Sequence, residues 1–369
     1  MICEVRTEAK GSRSPSVIRQ RMNRLSTLDR LLPVWIFAAM ALGLLLGRTW
    51  PGLGAALDAV QVAGVSVPIG IGLLWMMYPV LAKVRYESIG AHIGDKKLLG
   101  TSLVLNWVIG PIVMFALAWI FLPDLPEFRN GLILIGLARC IAMVLIWNTL
   151  ACGSNEIAAL LVALNSVFQI LTYSLLGYLF LVTVPGWMGV EGAALDISMS
   201  EIAKSVGIFL GIPLLAGYLT RKILVARRGD TWYEGTFLPV IGPTALIGLL
   251  YTIVLMFAMQ GNRIIEAPLD VARVAVPLTI YFLVMFGLAF WLSAKLGFNY
   301  ETTASLSFTA AGNNFELAIA VAIGTFGITS GEALAAVIGP LIEVPVLVAL
   351  VYASLWARKR YFPESAVQA

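Results

Sequence analysis

Residues 308 to 320 read FTAAGNNFELAIA, a stretch in which Gly312, Asn313, Asn314 and Glu316 interrupt an otherwise apolar run. A helix crosses roughly 30 Å of hydrocarbon with about 20 apolar residues, and inside that medium a broken backbone is tolerated only against protein or a water-lined cavity. Polar and flexible residues in the middle of such a run therefore mark a helix that unwinds at mid-membrane. The rest of the 369-residue chain has the same character: 59% of it is hydrophobic and 12% charged, with a mean hydropathy of +0.89, whereas soluble domains carry about 25% charged residues. Its 34 glycines and 17 prolines are spread through the apolar runs, as bundle helices permit.

The apolar runs predict ten transmembrane helices, at about 31 to 49, 65 to 82, 98 to 122, 128 to 149, 156 to 182, 203 to 224, 237 to 260, 272 to 294, 301 to 326 and 332 to 357. An even number puts both termini on one side. With the N-terminus cytoplasmic, the inner segments collect 19 of the 25 Lys and Arg residues, so the positive-inside rule predicts a multi-pass membrane protein with both ends in the cytoplasm. Residues 1 to 30 hold seven of these cations and no apolar core, so they read as a basic cytoplasmic tail and not as a cleavable signal. A second short cytoplasmic tail is expected over 358 to 369. The net charge of +4 is explained by this tail and by short loops, which argues against a nucleic-acid partner and for the lipid bilayer. The three cysteines, Cys3, Cys140 and Cys152, offer no disulfide framework and no zinc spacing, and each is expected to act singly.

A shift of 172 residues carries span one onto span six, and the following spans onto the second half of the chain. The expectation is an all-α integral membrane bundle made of two inverted five-helix repeats, 31 to 183 and 203 to 357, the arrangement of many secondary transporters. The same shift sends Cys140 to Gly312. Span four reads Gly136-Leu-Ala-Arg139-Cys140 and span nine Ala310-Ala-Gly312-Asn313-Asn314-Phe-Glu316, so helices four and nine are predicted to be broken and to cross at mid-membrane, where transporter sites form.

Four groups inside the spans carry candidate chemistry: Arg139, Cys140, Glu316 and Glu343. A charge at the membrane centre costs at least about 2.5 kcal/mol unless paired or hydrated. A thiolate is a soft ligand for trivalent arsenic or antimony; equally, a lone cysteine in a membrane helix packs as a small apolar residue. Glu316, just past the break, could load and release protons, or could be locked in an ion pair with Arg139. Glu343, between Pro340 and Pro345, reads as a second proton carrier or as an acceptor for freed backbone groups. Asn148, Asn165, Gln169, Asn313 and Asn314 supply neutral donors and acceptors suited to a small hydroxylated solute, to sodium or to interhelical bonding. No phosphate-binding loop or catalytic triad is present, so no cofactor and no enzymatic activity are expected.

Residues 136 to 148 (GLARCIAMVLIWN), 161 to 169 (LVALNSVFQ), 308 to 320 and 338 to 346 (IGPLIEVPV) resemble the Acr-type arsenical-resistance permeases, within the bile acid/sodium symporter superfamily. The resemblance covers about residues 25 to 357. The resemblance implies efflux of arsenite, and often antimonite, in exchange for protons across a cell inner (plasma) membrane, a required cysteine matching Cys140 and a required glutamate matching Glu316. One departure is Thr149-Leu-Ala-Cys152, where the pattern has a carboxylate after Trp147-Asn148 and no cysteine. The competing expectation is a sodium-coupled organic-anion symporter, with Arg139 holding the anion and the Asn, Gln and Glu groups holding sodium.

Overall fold

The computed structural model describes residues 32–50, 52–62, 65–84, 95–141, 143–190, 199–266 and 268–362. The tail over 1 to 30, most of the segment over 358 to 369 and Cys3 lie outside the described residues. Apart from a two-residue hairpin pairing β1 (Gln61–Val62) with β2 (Val65–Ser66), the described structure is helical. The helices are α1 (Leu32–Thr49), the short α2 (Leu53–Asp58), α3 (Val67–Ala82), α4 (Lys96–Phe121), α5 (Pro126–Leu137), α6 (Met143–Leu150), α7 (Asn155–Trp187), α8 (Met199–Arg228), α9 (Thr244–Glu266), α10 (Pro268–Lys295), α11 (Tyr300–Ala311), α12 (Phe315–Phe326) and α13 (Gly331–Tyr361), with a further helical stretch over 230–241 leading into α9. Among the described residues six helical spans are long and apolar enough to cross a membrane unaided, and α1, α3 and α12 are shorter apolar helices. Large apolar side chains such as Leu171, Leu215 and Leu283 point outward from α7, α8 and α10, which suits hydrocarbon.

Spans four and nine of the sequence are each two helices, α5 with α6 and α11 with α12. Helix starts at 96, 126, 143 and 155 recur at 268, 300, 315 and 331, offsets of 172, 174, 172 and 176 residues. Local chemistry sets the ends. Ser154 accepts a bond from Ile157 N at the start of α7, and Ser330 does the same for Ala333 N at the start of α13, each satisfying one of the orphan N–H groups of a helix N-terminus. Prolines shape the interiors. In four spans the helix widens by one residue per turn, over Leu105–Ile109, Leu179–Thr183, Gly207–Gly211 and Tyr233–Phe237, just before Pro111, Pro185, Pro213 and Pro239. A proline ring lacks the N–H and clashes with the carbonyl one turn back, and a wide turn relieves both.

The helices pack as two groups. α1, α3, α8 and α9 pair mainly with one another, while α4, α5, α6, α7 and α10 to α13 form the larger group around the two breaks. α8 belongs to both, because its first half lies on α7 and α12 and its second half on α3. At the turn between α4 and α5 Arg273 on α10 grips Asp124, with one bond at 2.8 Å, and these bonds hold the Asp124 carboxyl down at about 2.

Within the larger group α12 and α13 touch where the Phe315 ring lies over Gly339. A Cβ built on Gly339 would meet Phe315 Cε1 at 1.8 Å. Both residues are buried, and overpacking of such a contact costs about 1–3 kcal/mol. Gly339→Ala is expected to lower the thermal unfolding temperature of the purified protein by several degrees, and adding Phe315→Leu to recover part of that loss. Equal unfolding temperatures for wild type and Gly339→Ala would contradict the contact.

Candidate functional site

The two interruptions meet as a miniature antiparallel pair. Cys140 N donates to Gly312 O at 3.2 Å and Asn314 N to Ala138 O at 3.1 Å, with Arg139 opposite Asn313. Buried backbone groups left unpaired cost about as much as a lost hydrogen bond, and side chains supply what the bridge does not. The Asn313 amide donates to Ile135 O at 2.8 Å and Ala138 O at 3.1 Å, closing the C-terminus of α5. Arg139 Nη1 donates to Ala310 O at 3.4 Å near the C-terminus of α11. Gln169 Oε1 on α7 accepts from Arg139 N at 3.0 Å, and Glu343 Oε1 on α13 accepts from Asn313 N at 3.2 Å. Each helix break thus carries the cap of the other.

The N-termini of the two following helices are capped by different atoms. At α12 Asn314 Oδ1 accepts from Leu317 N at 3.0 Å. At α6 the acceptor is sulfur: Cys140 Sγ receives Val144 N at 3.3 Å. Cys140 is 2% exposed and is not in a disulfide. It abuts Gly312, where a Cβ would fall 2.9 Å from Cys140 Cβ and 3.5 Å from its sulfur. Cys152 is disulfide-bonded, which corrects the expectation that every cysteine acts singly.

Arg139 is fully buried, and its guanidinium does not turn to a carboxylate. Nη1 donates to the Tyr281 hydroxyl on α10 at 2.6 Å, and the group lies against Gly110 on α4, where a Cβ would meet Nη1 at 2.7 Å. Among the described residues no acidic group pairs with it, and its Nε and Nη2 have no partner. The ion pair between Arg139 and Glu316 offered by the sequence as an alternative is therefore absent. Asn165 Nδ2 and Oδ1, Gln169 Nε2, Asn313 Oδ1 and Asn314 Nδ2 are likewise buried without partners. Buried polar atoms are nearly always satisfied in folded proteins, and these lie on α7 and at the α11–α12 break.

Glu316 and Glu343 line one small cleft, together with Met143, Phe315, Pro340 and Val344 of the larger helix group and Ile36 and Leu249 of the smaller one. The cleft reaches α6 within three residues of Cys140. Asn148 lies elsewhere. Its amide donates to Asn155 Oδ1 at 3.1 Å and its oxygen accepts from Ser305 at 2.9 Å, clamping α6 to the start of α7 and to α11. Tyr281 and Gly110, which hold the guanidinium, were not singled out by the sequence. A tyrosine and a glycine in apolar spans carry no signal that distinguishes a buried partner from an ordinary packing residue. Among the described residues no group of three His, Cys, Asp or Glu side chains could hold a metal ion.

Comparison with known proteins agrees with this architecture. The family model described as Sodium Bile acid symporter family matches residues 70–267. The chain is similar to an arsenical-resistance protein Acr3 of Corynebacterium glutamicum, 56% identical over 94% of this chain and 93% of that one. It is also similar to an arsenical-resistance protein Acr3 of Alkaliphilus metalliredigens, 35% identical over 92% and 95%, and to an uncharacterized transporter of Synechocystis, 34% identical over 89% and 88%. With its broken and crossing helices and these near full-length matches, the chain belongs to the Sodium Bile acid symporter family and, within it, to the Acr-type arsenical-resistance permeases.

Proposed function

We propose that this chain exports arsenite from the cytoplasm in exchange for protons, with Cys140 as the sulfur ligand and Glu316 and Glu343 as the proton carriers. The observation that carries the reading is the crossing itself. One buried thiol caps the N-terminus of α6, and two carboxyls without an arginine partner line the adjoining cleft between the helix groups. Two full-length relatives named for arsenical resistance supply the substrate class. Antimonite, with the same thiol chemistry, is a second cargo. The offsets of 172 to 176 residues between helix starts support two inverted five-helix repeats, and the cation-rich segments support cytoplasmic termini in a plasma or inner membrane.

Arsenous acid is neutral at pH 7 and enters from the cytoplasm. The Cys140 S–H and one As–OH exchange to give an S–As bond, the thiol proton and the departing hydroxyl leaving together as water. The positive end of the α6 dipole favours electron density on that sulfur during the exchange. Relative movement of the helix groups then exposes the site to the outside. Water reverses the exchange there and releases arsenous acid, while a proton taken up at the Glu316–Glu343 cleft is carried back, so that substrate and proton alternate. The neutral amides of Asn165, Gln169, Asn313 and Asn314 suit the hydroxyls that remain on arsenic.

In everted membrane vesicles with an imposed proton gradient, wild type is expected to accumulate arsenite. Cys140→Ala is expected to lose at least about tenfold in rate, a change equivalent to about 1.4 kcal/mol. Uptake that ignores both the gradient and the thiol, and responds instead to a sodium gradient, would replace this reading with sodium-coupled symport.

The two carboxyls are separable by their bonds. Glu316→Gln is expected to abolish gradient-driven accumulation while leaving arsenite counterflow between the two faces intact. In Glu343→Gln the amide oxygen can still accept from Asn313 N, so a loss of proton coupling there would report the missing charge and not a broken cap. Gradient-driven accumulation at the wild-type rate by both variants would exclude these groups as the coupling pair.

A further inference from the structure

The family to which the chain belongs is described by sodium symport, yet the crossing of its broken helices holds a guanidinium. α5 and α11 both end there, and a helix C-terminus carries roughly half a negative charge on its unsatisfied carbonyls. In transporters built from discontinuous helices, unwound carbonyls and half-helix C-termini are where a coupling sodium ion is held. Arg139 follows directly after the C-terminal cap of α5, fully buried, and donates to Ala310 O of α11 and to the Tyr281 hydroxyl. Gly110 gives it room, since any side chain there would strike the guanidinium. No carboxylate among the described residues pairs with it. Its charge therefore faces a carbonyl and a hydroxyl, the oxygens that replace an ion's hydration shell in cation pathways, and the buried oxygens of Asn165 and Asn313 stand without donors in the same interior.

We propose that Arg139 is a tethered cation standing at the two helix ends in place of a mobile sodium ion, and that it makes transport by this chain independent of sodium. The transport half of this inference rests on the arsenite reading above; the cation half does not. A covalently attached charge satisfies the negative helix ends in every conformation and cannot be carried across, which leaves the Glu316–Glu343 cleft as the place where a coupling ion exchanges.

Removing the side chain should recreate a vacancy for a free cation. Wild type and Arg139→Ala, purified in detergent, are compared by thermal unfolding in choline, sodium and guanidinium chlorides at equal low-millimolar concentration. The wild-type unfolding temperature is expected to be the same in all three salts, with Arg139→Ala lower by several degrees in choline and largely restored by sodium or guanidinium. Arg139→Ala that is equally unstable in all three salts, aggregation in each included, overturns the proposal, as does wild type that sodium stabilises. In proteoliposomes, arsenite counterflow by Arg139→Ala is expected to fall several-fold in choline and to recover in sodium; a variant that sodium stabilises but does not reactivate overturns the transport half. If wild type moves no arsenite at all, the arsenite reading fails while the unfolding comparison still decides whether Arg139 replaces a cation.

Discussion

Two helices that break inside a bilayer must each find partners for their freed backbone groups, and in hydrocarbon those partners can only be protein or trapped water. The short bridge between Arg139 and Asn313, flanked by the bonds from Cys140 N to Gly312 O and from Asn314 N to Ala138 O, meets that requirement by making each break the partner of the other. Much of the surrounding structure follows from it. Asn313 and Arg139 reach across to the opposite helix end, Gln169 and Glu343 take up the remaining N–H groups, and Gly312 stays small because Cys140 occupies the space beside it. Neither break is stable alone, so α5, α6, α11 and α12 are held as one unit with the helices that cap them.

That unit is why the molecule divides into two packing groups. The larger group is stapled across its centre by a network of polar bonds, whereas α1, α3, α8 and α9 pack through apolar contact, close glycine approaches such as Gly248 against the Met76 backbone, and a bond at 3.0 Å between the Tyr78 and Thr220 hydroxyls. Between them the seam is mostly apolar, and Glu316 and Glu343 face it beside Ile36 and Leu249. Apolar seams slide at lower cost than polar networks, because no buried bond must be broken and remade. α8 is the exception. It lies on both groups, with the wide turn at Gly207–Gly211 falling between its two contacts, so movement of one group against the other must be accommodated along that helix.

The helical membrane class and the positions of both breaks were legible in the sequence because bilayer thickness fixes the length of an apolar run, and because Gly312-Asn313-Asn314 and Arg139-Cys140 stand out against it. How the breaks pair was not legible. Hydropathy records where polarity falls but not which polar group it meets, and the same charges allowed an Arg139–Glu316 ion pair that the fold does not make. Arg139 instead finds Tyr281 and Ala310, neither of which differs in sequence from any tyrosine or carbonyl in an apolar span. Asn148 shows the converse. It looks like a site residue by composition, yet it clamps α6 to Asn155 and Ser305, an assignment that needed the positions of three helices.

The closure of the site bears on how a single thiol could serve as a carrier. Cys140 is 2% exposed, its sulfur takes a backbone N–H of α6, and Gly312 is pressed against it. In this arrangement the sulfur is closed off from solvent, so an arsenic atom could reach it only if the surroundings of the break open. Opening at the crossing would expose the paired backbone of both breaks to an apolar medium. In the proposed function the seam opens instead, parting Ile36 and Leu249 from Met143, Phe315 and Val344 and leaving the bridge intact. In the proposed cycle this makes the movement that admits cargo the same movement that exposes Glu316 and Glu343, and the alternation of cargo and proton then needs no separate gate.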